Sequence, residues 1–288
     1  MSSDYEIKPL DLSRAGIQDC ASLLRRVFSH ATHLTEDYLD WQYNRNPAGT
    51  AIGFNAYHGD SLAAHYVTIP VKALYGGAVR PGVLSLNTAT HPDHQGKKLF
   101  TTLAERTYDA AAASGLAFVV GVANANSAPG FTKKLGFQLV GPLEARLGLG
   151  QPSRERPQAA PVAFDVVWER DSLRWRVSNP SRPYRIVSEG SRFRVEAPTD
   201  RPGIKAHLGD FESELNPEGL GRNSIGFRPV TLWIGIDPSI RWSRSAYWSI
   251  PDRFRRSPLN LIFRSLGSGG LPLRMEETRF RALDFDPY

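Results

Sequence analysis

One stretch of this chain restricts the fold more than any other. Residues 83–89 have the apolar pattern of a strand, the polar sequence HPDHQGKK follows at 91–98, and a helical pattern then continues to about Ser114. The short apolar run 117–122 indicates a second, buried strand. A polar turn with a glycine, placed between a strand and a long helix, is typical of a site where backbone N–H groups face a phosphate.

The flanking residues predict further strands and helices. Gly59-Asp60 and Gly76-Gly77 favour tight antiparallel turns, and Asn46-Pro47 ends a helix because the residue before proline avoids helical backbone. The predicted strands are 5–10, 51–58, 61–74 and 137–148, and the predicted helices are 13–28, 35–43 and a short one within 124–135. The strand at 137–148 is expected to complete the sheet.

The turn has features that suit a phosphate. Gly96 has no side chain to block a close approach, and Lys97 and Lys98 add positive charge beside the positive end of the helix dipole. On spacing alone, a solvated first helical turn explains the same residues. The assignment therefore depends on the surrounding sequence.

The surrounding sequence resembles the GNAT superfamily of N-acetyltransferases. Residues 84–90 are similar to the family's strand, His91-Pro92 to the residues after it, and Gln95-Gly96-Lys97 to the start of its phosphate loop. The family's second segment is matched by Asn124, Asn126, Ser127, Phe131, Leu135, Gly136 and Phe137, and Leu103 matches an apolar position of the helix. The resemblance covers roughly residues 5–147.

This resemblance implies an α+β fold, with a strongly twisted mixed sheet and helices on both of its faces. It also implies an acyl-CoA-dependent N-acyltransferase in which the amine of a small molecule attacks the thioester of acetyl-coenzyme A directly. Backbone N–H groups of residues 86–89 would form an oxyanion hole. The implied cofactor-binding residues are Leu86, Asn87, Thr88, Ala89, His94, Gln95, Gly96, Lys97, Lys98, Leu99, Phe100, Asn124, Ser127 and Phe131.

Three positions depart from the family pattern. Lys98 replaces the central glycine of the loop, and Phe100 replaces its final glycine or alanine. Phe131 stands where many members have a tyrosine that protonates the leaving thiolate, and phenylalanine has no proton to give. Water, another residue or unaided departure of the thiolate would have to take over this step.

Two histidines are the candidate catalytic residues, because imidazole titrates in the range that a general base needs. His65 lies between apolar neighbours that would keep it neutral, and His91 lies at the end of the strand. Two structural interpretations stay open: His65 as a core histidine, and His91 as a residue that only positions the turn, as His94 would.

The length of 288 residues predicts two domains. The predicted division is an acetyl-CoA-binding domain at 1–150, a proline-rich linker at 151–161, and a second domain at 162–288. Trp41-Gln42-Tyr43 before Asn46-Pro47 is echoed by Trp175-Arg176-Val177 before Asn179-Pro180. Because no second phosphate turn stands in a convincing context, the second domain is predicted to be a degenerate GNAT-like repeat that completes the acceptor pocket.

The net charge of +6 lies mainly in the second half, where 21 of the 22 basic residues are arginine. Arginine suits a phosphate-bearing acceptor, and the tandem layout resembles that of enzymes that acetylate nucleotide-linked amino sugars. A solvated arginine-rich surface explains the same charge. No basic block is long enough to predict nucleic-acid binding, and no apolar run is long enough to span a membrane.

The remaining expectations concern compartment and metal. The sequence MSSDYEIKPL lacks the pattern of a signal peptide, and the single Cys20 cannot form an internal disulfide, so a cytoplasmic protein is expected. No Cys or His pattern predicts a metal site. The sequence leaves the oligomeric state open.

Two other functions remain as alternatives. A Fem-like aminoacyl transferase also uses tandem GNAT-like domains, although such proteins usually lack the coenzyme A turn found here at Gln95-Gly96-Lys97. A non-catalytic acyl-CoA-binding module would explain Phe131 and the altered turn.

Overall fold

The computed structural model describes residues 4–154, 162–221, 223–255, 257–267 and 269–286. Most of the predicted linker therefore lies outside the described residues. The helices are α1 Arg14–Val27, α2 Glu36–Asn44, α3 Leu99–Ala113, α4 Ala128–Lys134, α5 Arg170–Val177 and α6 Ala282–Phe285. The strands are β1 Glu6–Pro9, β2 Ile52–His58, β3 Ser61–Tyr75, β4 Ala78–Thr90, β5 Phe118–Ala123, β6 Gln138–Pro142, β7 Glu144–Leu149, β8 Phe164–Val166, β9 Arg185–Glu189, β10 Arg192–Pro198, β11 Ile204–Glu212, β12 Val230–Ile236, β13 Tyr247–Ser249, β14 Asn260–Ser265 and β15 Thr278–Arg281.

The first part of the sheet is antiparallel from β1 to β4, and β5 then pairs with β4 in parallel. Parallel strands need a long crossover connection, usually a helix, and α3 provides the crossover between β4 and β5. The sheet is therefore mixed, as the sequence predicts. Strand β4 is longer than the predicted strand because it begins directly after the turn at Gly76-Gly77.

Helices cover both faces of this sheet. Successive residues of a strand point to opposite faces, and the buried residues of β4 divide accordingly. Leu84 belongs to the core that contains the apolar side chains of α1 and α2, whereas Val83 belongs to the core that contains those of α3. The site described below thus lies in a sheet that is buried between α1 and α2 on one side and α3 on the other.

A strand from the second half of the chain completes the first sheet. Strand β14 lies between β5 and β6 and pairs with both in antiparallel fashion. Strand β7 instead pairs with β12 and β13, which belong to the second half. The prediction that 137–148 completes the first sheet as one strand is therefore wrong: this segment forms two strands with partners in different parts of the sheet.

The second half repeats the pairing order of the first. Strands β9, β10 and β11 are antiparallel, and β11 then pairs with β12 in parallel. In the described part of the connection 213–229, however, the only helical element is a 3-10 turn, Ser213–Leu215. The pairing of β12 with β11 ends at Trp233. Beyond it, Gly235 and Ile236 of β12 pair with β15. The division into two domains stays a prediction.

Two tryptophans join the halves through reciprocal contacts. The indole Nε1 of Trp41 on α2 donates to the Trp175 carbonyl oxygen at 3.0 Å, and Nε1 of Trp175 on α5 donates to the Trp41 carbonyl oxygen at 3.0 Å. Their rings stack with centroids 4.8 Å apart. The two residues that carry the sequence echo therefore contact each other. No helix in the described ranges is long and apolar enough to cross a membrane.

The tryptophan pair gives a stability prediction. Trp175→Ala removes the stacked ring and leaves the Trp41 carbonyl oxygen without its donor, so the free energy of unfolding should fall by roughly 3–5 kcal/mol in urea denaturation. Trp248, which is 67% exposed, is the matched control. Trp248→Ala should change the same free energy by no more than about 0.5 kcal/mol, and equal losses in the two variants would contradict the prediction.

Candidate functional site

Strands β4 and β5 separate part-way along their length. Residues 83–85 pair in parallel with residues 119–121, whereas β4 continues to Thr90 and β5 to Ala123 without further mutual pairing. Residues 82–84 are buried, and residues 85–88 are partly exposed. Because a separated strand presents unpaired N–H and C=O groups, the opening is a cleft suited to an extended ligand that carries amide groups.

A β-bulge distorts the β4 side of this cleft. Asn87 and Thr88 together oppose Tyr66 of β3, where the register shifts. Asn87 has a φ of 48°, a left-handed conformation that costs a non-glycine residue roughly 1–2 kcal/mol, although asparagine adopts it more often than most. The predicted cofactor-binding residues Leu86 and Ala89 flank the bulge, and Ala89 is buried.

Helix α2 holds the bulge in place. The Asn87 amide nitrogen Nδ2 donates to Gln42 Oε1 at 2.7 Å and to the Tyr43 hydroxyl at 2.9 Å. The Asn87 side chain therefore points to α2, and the groups that it leaves for a cofactor are those of its backbone. The partnership between α2 and Asn87 was not predicted, since nothing in the local sequence of either segment indicates it.

His65 is hydrogen-bonded to the same Tyr43 hydroxyl. Its Nδ1 is 2.7 Å from Asn55 Oδ1, which can only accept, so Nδ1 carries the proton. Its Nε2 then accepts from the Tyr43 hydroxyl at 3.1 Å. Asn55 Nδ2 in turn donates to Cys20 Sγ at 3.7 Å. Both imidazole nitrogens are thus engaged within the core.

Burial keeps the His65 imidazole neutral. The side chain is 1% exposed, and burial lowers its pKa to about 3. The sequence expectation of a neutral His65 therefore agrees with the structure. In this conformation, however, the imidazole reaches the cleft only through Tyr43 and Asn87 and cannot touch an acceptor directly.

The start of α3 presents a row of free backbone donors. In the described parts of the chain, the N–H groups of residues 96–101 have no acceptor, while those of Gln95 and Thr102 bond to Pro92 and Lys98 carbonyl oxygens. Gly96 and Lys98 have φ values of 76° and 63°. Lys98 therefore has a left-handed backbone in spite of its side chain. Lys97 and Lys98 are exposed next to these donors.

The imidazoles of the turn have local structural partners. His91 Nδ1 accepts the Asp93 N–H at 3.2 Å and so caps the 3-10 turn Pro92–His94. His94 Nδ1 lies 2.9 Å from the Tyr5 hydroxyl, and its ring is 5.2 Å from that of His58 on β2. The structure thus places His91 and His94 at the turn before α3, and His65 on β3 with partners from α1, α2 and β2.

The second predicted segment lies at the end of β5. Asn124 Oδ1 accepts the N–H groups of Asn126 and Ser127, and Ser127 Oγ accepts the Asn124 N–H at 3.1 Å. Ser127 precedes α4, and its side chain forms no capping bond to this helix. Phe131 is buried, 5.1 Å from the ring of Phe100 and in contact with Phe137, which makes the α3 side of the cleft aromatic.

A chain of hydroxyl groups lies on this aromatic side. The Tyr66 hydroxyl is 2.7 Å from Ser85 Oγ and 2.5 Å from the Tyr108 hydroxyl. Burial raises the pKa of Tyr66 to about 12, so the phenol keeps its proton at neutral pH. Ser85 is the last β4 residue that pairs with β5, and it is partly exposed where the cleft begins. These residues were not predicted from the sequence. Strand alternation indicates only that Tyr66 and His65 face opposite sides of the sheet.

Comparison with known proteins identifies the first part of the chain. Residues 8–140 match the family model of the acetyltransferase (GNAT) domain. This part of the chain is therefore similar to a GNAT acetyltransferase domain. Its cleft, its free N–H groups and its first four helices all lie within or beside the matched residues. Among curated proteins, none matches the sequence.

Solved structures share the fold over most of the chain. A probable N-acyltransferase from Enterococcus faecalis matches with a TM-score of 0.60 at 10% identity, over 91% of this chain and 73% of that one. A GCN5-related N-acetyltransferase from Anabaena variabilis matches with a TM-score of 0.61 at 12% identity, over the same shares. The N-myristoyltransferase of Saccharomyces cerevisiae, solved with myristoyl-CoA, matches at 0.50 and 11% identity over 74% and 63%. The predicted GNAT-type mixed sheet flanked by helices is confirmed.

No group of three or more His, Cys, Asp or Glu residues within the described ranges has a geometry that could hold a metal ion. The sulfur of Cys20 is buried and bonded to Asn55 and His65. Burial raises the pKa of this thiol to about 12. The thiol is therefore protonated and unreactive at neutral pH.

The His65 environment predicts a pH dependence of stability. Above about pH 6.5 the imidazole is neutral in the folded and the unfolded chain, but between about 6.5 and about 3 only the unfolded chain binds the proton. Stability should therefore fall as the pH falls through this window, by up to about 1.4 kcal/mol per pH unit from this group.

Urea denaturation at several pH values measures this effect. Between about pH 6 and about pH 4, the unfolding free energy of His65→Gln should fall less steeply than that of the unsubstituted protein. His30 is exposed, so His30→Gln should keep the original slope. The same slope in all three proteins would show that His65 is not held neutral by the fold.

Proposed function

We propose that this protein is an acyl-CoA-dependent N-acyltransferase that moves an acetyl group from acetyl-coenzyme A to a primary amine of a small molecule. One observation carries the proposal: the free N–H groups of 96–101 lie directly after a strand that has separated from its parallel neighbour. A GNAT domain with this geometry offers one donor row to a pyrophosphate and one free strand edge to an amide-containing arm.

The residues present fit the cofactor. The N–H groups of 96–101, with Lys97 and Lys98 beside them, would hold the pyrophosphate at the positive end of the α3 dipole. The backbone groups of 86–89 that do not pair with β3 would bond the amides of the pantetheine arm and the thioester carbonyl. When bound, the cofactor supplies an activated acyl group with a thiolate as leaving group.

We propose that Ser85 and Tyr66 replace the proton donor that Phe131 lacks. Tyr66 holds its proton at the hydroxyl because burial raises its pKa, and it is bonded to Ser85 Oγ at 2.7 Å. Ser85 is partly exposed at the point where the cleft begins, on the side that Phe131 also lines. A proton can move from Ser85 Oγ to the leaving thiolate while Ser85 regains one from Tyr66, and the proton that the attacking amine releases returns to Tyr66 through Ser85.

The two histidines receive positioning roles in this proposal. His65 fixes the Tyr43 hydroxyl, which with Gln42 holds the bulge at Asn87. His91 fixes the turn through Asp93. Neither imidazole then takes the proton of the amine directly, and the amine enters in its neutral form.

The hypothesis of a nucleotide-linked amino sugar as acceptor depended on the arginine excess. Many of these arginines are engaged inside the protein: Arg281 and Arg279 bond to Asp165 at 2.6 and 3.0 Å, and Arg228 bonds to three backbone carbonyl oxygens through Nη1. Primary amines are therefore the acceptor class that we propose, and amino-sugar nucleotides are one group within the test panel.

We further propose that the second half is a GNAT-like repeat that does not bind coenzyme A. Its strands β9 to β12 repeat the antiparallel and then parallel order of β2 to β5. The connection between β11 and β12 lacks a counterpart of α3 in its described residues, and β15 occupies the place beside β12.

Gly96 allows a matched test of cofactor binding. A Cβ at Gly96 or at Gly115 would meet no atom within 4 Å, and both residues have left-handed backbone, with φ of 76° and 78°. Gly96→Ala and Gly115→Ala should therefore lose similar stability, roughly 1–2 kcal/mol. Only Gly96→Ala should weaken coenzyme A binding in calorimetry, by about tenfold, because only Gly96 faces the phosphates. Equal affinities for the two variants would argue against the turn as the pyrophosphate site.

Thiol release from acetyl-coenzyme A tests the reaction itself. The panel consists of small primary amines, polyamines, amino-sugar nucleotides and peptides, and at least one amine should raise the release above hydrolysis. Tyr66→Phe should lower kcat by about a hundredfold with little change in the KM for acetyl-coenzyme A. Tyr75→Phe, which removes a buried hydroxyl bonded to the Leu271 carbonyl oxygen, is the control and should retain kcat.

The outcomes separate the candidate functions. Tight binding of acetyl-coenzyme A without thiol release for any amine would favour a non-catalytic binding module. A Tyr66→Phe variant with unchanged kcat would remove Tyr66 from the proton transfer. A pH profile that loses an inflection in His91→Gln would return the role of base to His91.

A further inference from the structure

Arg176 on α5 is a fully buried arginine whose hydrogen bonding is incomplete. Its residue is 1% exposed, and its Nε and Nη1 have no hydrogen-bond acceptor in the structure. The nearest carboxylate oxygen is Asp286 Oδ2, 3.6 Å from Nη1, which is beyond the distance of a good hydrogen bond. A buried charged donor without an acceptor is costly, so such a group commonly indicates an additional bound species.

A crevice lies against this guanidinium. It measures about 110 Å³ and is bounded by β3, the end of β8, α5 and Asp284. Its mouth carries the ion pair of Lys72 Nζ with Glu169 Oε1 at 2.8 Å. The volume is well above the roughly 10–15 Å³ that one water needs, and well below the roughly 300 Å³ of pockets for larger organic ligands. The crevice therefore suits a ligand of a few non-hydrogen atoms.

The neighbouring carboxylate does not supply the missing acceptor. Asp284 Oδ1 accepts from Trp168 Nε1 at 2.8 Å, and Oδ2 accepts the Arg281 N–H at 2.6 Å. Trp168 and Trp175 place their rings 5.7 and 4.6 Å from the Arg176 guanidinium. Arg176 thus faces the crevice with a positive charge and free N–H groups, between aromatic faces that have no acceptor of their own.

The walls are partly apolar and partly charged, and Asp171 adds a further carboxylate to them. Besides the two tryptophans, they include Pro47, Pro70, Val71, Val166 and Val167. A ligand that matches both parts of the crevice has one anionic end and a short alkyl end. A dianion such as phosphate fits less well, because its second charge would lie close to Asp284 and Asp286 in a region of low dielectric constant.

We propose that this crevice binds a small monocarboxylate, with the carboxylate accepting from the Arg176 guanidinium and the alkyl group against the proline and valine side chains. The crevice shares no residue with the cleft between β4 and β5. The proposed site is therefore separate from the acyl-transfer site, and it does not depend on the proposed reaction.

Calorimetric titration of the full chain with sodium propionate tests the proposal, with sodium phosphate and sodium chloride at matched ionic strength for comparison. Propionate should bind, and phosphate and chloride should bind at least about tenfold more weakly. Arg176→Met should weaken propionate binding by about tenfold or more, as expected for the loss of a charge-assisted hydrogen bond.

A second variant keeps the test decisive if Arg176→Met does not fold. Val71→Phe fills the crevice from its β3 wall and leaves Arg176 in place, so it should also weaken propionate by about tenfold. Val140→Phe is the control, because Val140 is half-buried in β6 and does not line the crevice. It should bind propionate within about twofold of the original protein.

Three results would overturn the proposal: no heat of binding with propionate, equal binding of phosphate, or equal propionate affinity in Val71→Phe and Val140→Phe. A crystal structure grown with propionate that shows only ordered water beside Arg176 would assign the free N–H groups to solvent instead.

Discussion

The parallel pairing of β4 with β5 ends at Ser85 and Gly121, and the geometry of the candidate site follows from that divergence. Backbone groups that lose a strand partner inside a protein must find another. Here the shape of the opening is maintained from outside the strand, because Asn87 is tethered to α2 in a left-handed conformation. Helix α2 also carries Trp41, so the residues that hold the cleft belong to the same helix that joins the two halves.

The elements that sequence could predict are those whose signal is local. The helices α1, α2 and α3 appear with the expected bounds to within a residue or two, because their apolar periodicity and end signals lie within each segment. The position of β14 between β5 and β6 has no such signal. A six-residue apolar strand can pair with any exposed edge, and its partner is decided by the rest of the packed fold. For the same reason, the sequence of 137–148 did not indicate that this segment forms two strands with partners in different parts of the sheet.

The candidate site also has some features that the local sequence indicates and others that it does not. The turn around Gly96 could be predicted because the glycine, the lysines and the following helix are adjacent in sequence. The neutrality of His65 could be inferred from its apolar neighbours, but its partners Asn55, Tyr43 and Cys20 come from β2, α2 and α1. The left-handed backbone of Lys98 runs against the preference of lysine, so the sequence does not indicate it.

The place of β14 has a consequence for how the chain is made. Residues 260–265 leave the ribosome long after the GNAT motifs at 83–137 have done so, and domains generally begin to fold from the N-terminal side during synthesis. Until β14 arrives, β5 and β6 have no central partner between them, and the β5 side of the cleft is unsupported. A nascent or prematurely terminated chain can thus contain every recognisable motif of the candidate site and still lack a completed sheet on which to build it.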